Sequence, residues 1–347
     1  MNNTPISPRH LRHSDVHRRV QTTAQLRDLG VTQAEANEQC RSGGPWQQIL
    51  PNVYLLHPGP ATPEERLHAV LLYAGRRRDP VGVPAQPGAG EPHDRPTRYT
   101  DAMITGLAAL TLHGFTSTPP LLSLDHVDVL VPRLRRLRST GCARVLRTPA
   151  LPDPVPITGL PVAPVARALA DAVAELTDAG AVRSLLTEAV RVGHTEPSAV
   201  VRELTQARLL NRPHVVEAVE SLLAEGRAIA EHRLYRMVEQ YGLPDPVWNV
   251  DLRLPGGPHL GGLDAYWPEQ AVAVELDTRG PRQHDNDALW SEYARKRETL
   301  ERLGITVVHI TPRKLRESLE QQAAVVRTAL MASADREPAA YVVVLPR

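Results

Sequence analysis

The sequence predicts a multidomain protein that combines α+β and α/β folds. Its 347 residues exceed the roughly 100–200 residues of one typical domain. A stretch rich in Pro, Gly and Arg divides the chain, and the last third alternates helical patterns with strands. We expect an N-terminal helix-turn-helix domain, a linker, a central α+β domain, a C-terminal α/β domain and a tail, at residues 1–75, 76–98, 99–210, 211–335 and 336–347 respectively.

Composition excludes several classes of protein. No apolar run reaches the about 18 residues of a transmembrane helix, and the first twenty residues are too polar for a secretory signal. With only Cys40 and Cys142, a disulfide framework or a cysteine-rich zinc site is excluded. We therefore expect a cytoplasmic protein without a membrane partner. A net charge of +1 argues neither for nor against nucleic acid, which depends on how the charges are distributed.

The N-terminal pattern is typical of a winged helix-turn-helix. Residues 22–29 have helical spacing that ends at Gly30, and Thr32 with Glu35 has the spacing of a capping box for a second helix. Apolar segments around a Pro-Asn turn predict a β-hairpin at 46–56. Helix, short turn, helix and hairpin together outline the motif.

Two sets of side chains are candidates for binding DNA. The second helix offers polar groups able to contact base edges or phosphates, at Thr32, Gln33, Asn37 and Arg41. Residues 133–147 contain six arginines and no acid, and this run either binds phosphate or coats a strand. Its candidate DNA-binding residues are Arg133, Arg135, Arg136 and Arg138.

Periodicity assigns the remaining elements. In the central part we expect helices at 101–112, 165–174, 181–192 and 197–204, and strands at 126–131 and 157–162. In the last third we expect helices at 215–242 (with a break near Gly226), 289–303 and 312–330, and strands at 248–254, 262–267, 271–276 and 305–310.

The most informative motif is acidic. Asp264 lies on one predicted strand, and Glu275 and Asp277 lie on the next, two residues apart and so on one face. A hairpin would bring Asp264 to that face, where converging carboxylates need a divalent cation such as Mg²⁺ or Mn²⁺. Such a site can activate water to attack a phosphodiester. The alternative, an exposed polar face, is disfavoured because apolar residues flank the acids.

This motif resembles the PD-(D/E)XK nuclease core, and more narrowly the branch related to very-short-patch-repair endonucleases. The ordered features span about residues 225–315, and they are Glu231 before Gly242-Leu243-Pro244, Asp264 with Trp267-Pro268, Glu275 and Asp277, His284, Arg295-Lys296-Arg297, and strand 305–310. The resemblance implies an endonuclease-like domain with catalytic residues Asp264, Glu275, Asp277, Lys296, Glu231 and His284, and with metal ligands Asp264, Glu275 and Asp277.

The chain departs from the nuclease pattern at one important position. The general pattern has a lysine, which orients or polarises the attacking water, where this chain has Asp277. The substitute would be Lys296, Arg295 or His284. Since Lys296 and Lys314 are the only lysines, the catalytic hypothesis depends on where Lys296 points.

The front of the chain resembles AbiEi-type antitoxins, through the segments 29–32, 48–54, 105–114 and 159–171. That resemblance implies DNA binding, regulation of transcription and a cognate toxin or phage-defence partner. Two hypotheses follow: a DNA-binding protein with a Mg²⁺-dependent endonuclease-like domain, or a non-catalytic regulator of antitoxin type whose nuclease fold is degenerate. A nuclease acting on RNA or on foreign DNA is a third.

Overall fold

The computed structural model describes residues 13–75, 101–277, 287–333 and 342–347. Over these ranges the chain is a mixed α/β protein with twelve α-helices and three β-sheets, as the sequence predicts at this coarse level. It divides into two compact units, a first unit of Met1–Glu188 with Glu203–Val215 and a second unit of Ala189–Arg202 with Val216–Arg347. The expected linker at 76–98 lies outside the described residues.

Three short helices and a three-stranded sheet form the start of the described part of the first unit. Its elements are α1 (His13–Arg19), β1 (Val20–Thr22), α2 (Thr23–Asp28), α3 (Gln33–Gln39), β2 (Gln47–Leu50) and β3 (Val53–Leu55). The strands form an antiparallel sheet in the order β1-β3-β2, so the predicted hairpin is confirmed. Helix α3 begins with the predicted capping box, in which Thr32 and Glu35 satisfy each other's backbone amides.

A five-stranded mixed sheet occupies the rest of the first unit. Its elements are α4 (Pro63–Ala74), β4 (Met103–Thr105), α5 (Gly106–Leu112), β5 (Val127–Pro132), β6 (Ala143–Thr148), β7 (Val155–Ile157), β8 (Leu160–Val162), α6 (Val165–Glu175), α7 (Ala179–Arg191) and α8 (Pro197–Gln206). The last three residues of α7 and the first six of α8 belong to the second unit. The strand order is β6-β5-β4-β8-β7. The helix expected at 101–112 begins only at Gly106, because Met103 and Ile104 pair in the sheet between β5 and β8.

A buried ionic network crosses this sheet. Arg144 donates to both carboxylate oxygens of Asp128, at 2.5 and 2.7 Å, and also binds Glu175 at 2.6 Å. Asp171 accepts from Arg167 and from the hydroxyl of Thr105, the latter at 2.6 Å. Asp128 and Asp171 are buried, and a buried carboxylate is tolerated only when it is paired in this way.

Glu188 on α7 closes the turn after Phe115. Its carboxylate accepts hydrogen bonds from the backbone amides and hydroxyls of Thr116 and Ser117, at 2.5–2.9 Å. Burial by itself would raise the pKa of Glu188, but these four bonds outweigh it and lower the pKa from 4.5 to about 2.

We expect Glu188→Gln to destabilise the first unit by about 3 kcal/mol at neutral pH, since a shift of one pKa unit corresponds to about 1.4 kcal/mol. A carboxyl with a depressed folded pKa stabilises above its unfolded pKa of 4.5 and loses that stabilisation as the pH falls towards about 2. Calorimetric unfolding between pH 4.5 and about 2 should show this loss of stability in the wild type and a smaller loss in Glu188→Gln. Glu38→Gln, at an exposed pair with Arg41, is the control and should change little.

The second unit contains one long helix, a five-stranded sheet and three further helices. Its elements are α9 (Pro213–Gln240, whose first three residues belong to the first unit), β9 (Val247–Arg253), β10 (His259–Trp267), β11 (Val272–Leu276), α10 (Asp287–Arg302), β12 (Thr306–Ile310), α11 (Pro312–Glu317), α12 (Leu319–Ser333) and β13 (Val343–Pro346). The strand order is β12-β11-β10-β9-β13, and only the β11–β12 pair is parallel.

Three expectations for this unit change. Helix α9 is continuous through Gly226, because the glycine lets Pro197 approach: a Cβ at Gly226 would lie 2.6 Å from Pro197 Cγ. The single helix expected at 312–330 is two helices that meet at Ser318. Part of the segment expected to be a tail, 343–346, pairs with β9 as an edge strand of the sheet.

Both faces of the second-unit sheet are covered by apolar packing. Residues of α9 and α12, such as Leu234 and Val326, pack with Trp267 and Val274 on one side. Leu300 of α10 packs with Tyr266 and Ala273 in a second cluster. Alternate side chains of β10 and β11 therefore pack into one apolar cluster or the other. Asp264 lies on β10 and Glu275 on β11, which are neighbours in the sheet.

Candidate functional site

Two acidic side chains lie close together on neighbouring strands of the second unit. Strands β10 and β11 pair antiparallel from Ala265 to Trp267 and from Val272 to Val274. Asp264 and Glu275 are the next residues of these strands, and the Asp264 carboxylate reaches the amide of Leu276, the residue after Glu275. Both residues are buried, at 5% and 8% exposure. The strand pairing therefore brings these two predicted residues together.

Asp264 is held by a backbone amide and by an arginine. Its Oδ2 accepts a hydrogen bond from the amide of Leu276 at 2.6 Å, and its Oδ1 accepts from Arg227 Nη2 at 2.7 Å. Arg227 also donates to Glu231 at 2.7 Å, so the predicted Glu231 joins the cluster through this arginine. Burial, the largest influence, raises the pKa of Asp264, while the Leu276 amide and Arg227 lower it.

Glu275 is paired with the predicted lysine. Lys296 Nζ, from α10, lies 2.9 Å from Glu275 Oε1 and donates to the carbonyl oxygen of Gly262 at 2.7 Å. The lysine stem passes over Gly261, where a Cβ would lie 2.6 Å from Lys296 Cε. Gly261 has a φ of +118°, which L side chains rarely adopt. The glycine thus provides both the backbone conformation and the space that the lysine needs.

One further titratable group borders the pair. Glu275 and His309 are partners in the parallel β11–β12 register, and His309 Nδ1 lies 3.8 Å from Glu275 Oε2. The histidine side chain is about one third exposed, at 37%. A protonated His309 would therefore add a positive charge at the solvent side of Glu275.

The third predicted carboxylate does not complete a metal cage. Asp277 follows the end of β11, and its backbone amide donates to the carbonyl of Ile310 at 2.9 Å. In the part of the chain that the structure describes, no group of three or more His, Cys, Asp or Glu side chains is placed to hold a metal ion. The expected convergence of three carboxylates is therefore a convergence of two, with Arg227 and Lys296 as their counter-ions. His284 lies outside the described residues.

The predicted DNA-binding residues of α3 lie at the surface, but three of the four are engaged. Thr32 caps the helix with its hydroxyl, Asn37 Oδ1 accepts from the hydroxyl of Tyr54 at 3.2 Å, and Arg41 pairs with Glu38 at 2.7 Å. Gln33 is exposed. The carboxylate of Glu35 turns back to the Thr32 amide, so its charge is directed to the start of α3.

The first part of the arginine run lies in the loop between β5 and β6 of the first unit, whereas Arg144 and Arg147 lie on β6. Residues 133–138, which we term the basic loop, expose the side chains of Arg133, Arg136 and Arg138, whereas Arg135 is partly buried. Arg135 Nη2 donates to the carbonyl of Ala74 at 2.5 Å, so it anchors the loop. Of the four arginines predicted here to bind DNA, three are therefore accessible and one is structural.

Sequence reasoning missed Arg227 and Gly261. Arg227 stands four residues before Glu231, the spacing of an intrahelical ion pair, and this was the only local signal. Its second partner, Asp264, is 37 residues away. Gly261 directly precedes Gly262, the first residue of the predicted strand 262–267, and such a Gly-Gly pair signals close approach of another group.

These features define a mixed α/β protein of two units, the second of which contains a buried carboxylate–cation cluster. A scan against models of known protein families finds no match, and a search of curated proteins finds no significant relative. Among the described residues, no helix is both long and apolar enough to cross a membrane.

Proposed function

We propose that the chain is a DNA-binding protein whose second unit is an endonuclease-like domain that hydrolyses phosphodiester bonds. The observation that carries this proposal is the convergence of Asp264, Glu275 and Lys296. Two acids from adjacent strands and a lysine from the following helix meet at one place, with Lys296 Nζ 2.9 Å from Glu275. These are the residue types that the resemblance to the PD-(D/E)XK core implies.

Asp264 and Glu275 supply the smallest set of protein ligands that suits Mg²⁺ or Mn²⁺. Mg²⁺ is commonly held by one or two carboxylates, with water and substrate phosphate completing its shell, and Asp264 with Glu275 meets that minimum. When bound, the metal would activate water and stabilise charge on the scissile phosphate. Asp264 and Glu275 would hold it once Arg227 and Lys296 release one carboxylate oxygen each. Lys296 would then donate to the attacking water or to a phosphate oxygen.

The first unit supports binding to DNA. Helices α2 and α3 with the β2–β3 hairpin have the element order of a winged helix-turn-helix, and α3 presents exposed polar side chains. The basic loop adds arginines for phosphates. Both observations concern the first unit by itself.

A non-catalytic regulator of antitoxin type is the second candidate, and the same cluster offers its support. Arg227 and Lys296 already neutralise Asp264 and Glu275, and the described residues offer no third metal ligand. Such a site is stable without a metal. In that case the fold would serve DNA binding and regulation beside a cognate toxin or defence partner.

Cleavage of supercoiled plasmid DNA separates the two candidates. We expect the full chain to nick plasmid with Mg²⁺ or Mn²⁺ and to stop when EDTA removes the metal. Lys296→Gln should slow nicking by about 100-fold or more, as loss of one charge-stabilising donor does in other enzymes. Arg297→Gln, next to it on α10 in an exposed pair with Glu301, should change the rate less than about twofold.

Absence of metal-dependent nicking would reject the catalytic proposal for this substrate. A gel shift with DNA from upstream of its own gene would then test the regulator, which requires binding without cleavage. Equal rates for Lys296→Gln and Arg297→Gln would show that the lysine has no part in catalysis.

A further inference from the structure

The basic loop is held rigidly although its side chains are exposed. Tyr73 donates its hydroxyl to the carbonyl of Arg138 at 2.7 Å, and Arg147 donates to the carbonyls of Arg135 and Leu137. Arg135 in turn binds the carbonyl of Ala74. Side chains from α4 and β6 thus hold the backbone of the loop by hydrogen bonds. Binding a partner would therefore cost little conformational entropy in the loop backbone.

The rigid loop presents an apolar tip between positive charges. Leu134 is 92% exposed, more than any other exposed large hydrophobic residue of the described chain. Arg133, Arg136 and Arg138 are exposed beside it, and none of the three forms an ion pair with a described residue. An exposed leucine is ordinary by itself. This one lies on an anchored loop among arginines that form no ion pair with a described residue, which is the composition of an inserting wedge.

We propose that the basic loop enters the minor groove of duplex DNA, with its exposed arginines on the phosphates and Leu134 wedged against or between base pairs. This inference rests on the proposed DNA-binding function and specifies how the first unit contacts the duplex. A single protruding loop suits the minor groove, about 6 Å wide, whereas the wider major groove accepts a helix. Apolar side chains that unstack base steps are typical of minor-groove proteins.

The arginine charges of the basic loop favour duplex DNA as its partner. The 133–147 run contains no acid, and guanidinium groups on both sides of the tip match phosphates on the two walls of a narrow groove. An anionic lipid surface is a different partner that would also accept a basic loop with an apolar tip. The experiment therefore includes it as an opposing outcome.

The test measures affinity of the full chain for a short AT-rich duplex by fluorescence anisotropy, in EDTA so that no strand is cut. Arg136→Gln should reduce the slope of log affinity against log salt by about 0.9, which corresponds to one phosphate contact. Leu134→Ala should weaken binding by about tenfold at an unchanged slope, since it removes burial of apolar surface. Leu134→Met should restore most of the affinity, and netropsin, which occupies the minor groove, should compete.

Leu122→Ala is the control, because Leu122 is also exposed, at 71%, on the same unit. Equal affinities for Leu134→Ala, Leu122→Ala and the wild type would overturn the wedge. Binding that netropsin does not weaken would overturn the groove assignment. Binding to phosphatidylserine vesicles is measured for the wild type and for Leu134→Ala. If the variant loses vesicle binding but keeps its duplex affinity, the loop binds lipid and not DNA. A wild-type chain that binds no duplex at low salt would reject the proposed DNA-binding function itself.

Discussion

Gly106→Ala is expected to lower the free energy of unfolding of the first unit by about 4–8 kcal/mol. Gly106 begins α5 with a φ of +62°, a region where an alanine is strained by about 1–3 kcal/mol. A Cβ there would lie 2.2 Å from Asp128 Oδ2, which is far inside van der Waals contact. The side chain of Asp128 would have to move.

The larger part of this effect comes from the ionic network. Arg144 Nε and Nη2 donate to the two carboxylate oxygens of Asp128 at 2.5 and 2.7 Å, and Arg144 Nη1 binds Glu175. Burial, the largest influence, raises the pKa of Asp128, and the hydrogen bonds of Arg144 oppose that rise. Displacing Asp128 leaves a buried carboxylate poorly paired, and breaking a buried ion pair costs about 3–5 kcal/mol.

Gly114→Ala is the matched control. Gly114 also has a positive φ, of +89°, but nothing lies within 4 Å of its Cβ position. We expect only backbone strain there, about 1–2 kcal/mol. In calorimetric unfolding of the full chain, Gly106→Ala should lower the Tm of the first unit by roughly 10 °C or more and Gly114→Ala by a few degrees. Equal Tm values for the two variants would show that the contact with Asp128 is unimportant.

Asp264→Asn is expected to slow DNA nicking by about a thousandfold or more without lowering the stability of the fold. Asparagine retains an oxygen that can accept from the Leu276 amide, but it removes the charge needed to hold a divalent cation. Arg227 keeps Glu231 as its partner, and its side chain is 40% exposed, so its charge remains solvated. Under the proposed function the variant is therefore folded and inactive.

The pKa of Asp264 determines the sign of the stability change. Since burial raises this pKa above the ordinary 3.8, the charged carboxylate reduces stability at neutral pH. That loss of stability shrinks as the pH falls through the raised folded pKa and is gone below 3.8, where the carboxyl is protonated in both the folded and the unfolded state. The asparagine variant should equal or exceed the wild type in stability at neutral pH, and the difference should vanish in acid.

Plasmid nicking and thermal unfolding across this pH range check both parts of the expectation. Asp245→Asn, the same substitution at an exposed residue between α9 and β9, should leave both measurements unchanged. An asparagine variant at 264 that nicks at the wild-type rate would exclude a catalytic role for Asp264. One that unfolds far more easily would show that the carboxylate serves mainly as a structural link between α9 and the sheet.

Local patterns were sufficient for several elements of the fold. Thr32 with Glu35 marked the start of α3, because a capping box is formed within four residues. The alternation around Asp264 and the apolar run before Glu275 predicted the strands β10 and β11, which pair antiparallel. Failures occurred where distant residues outweighed local preference. Residues 103–105 have a helical pattern but pair as a strand, and Gly226 continues a helix because Pro197 packs against it.

The sequence by itself placed Asp264 and Glu275 on two successive predicted strands and Lys296 on the helix that follows them. Only the tertiary structure decided which cations face those acids. Arg227 and Lys296 are separated from their partners by 37 and 21 residues, and such pairs depend on how α9 and α10 pack on the sheet. Burial of both carboxylates is the physical reason that these distant cations are required.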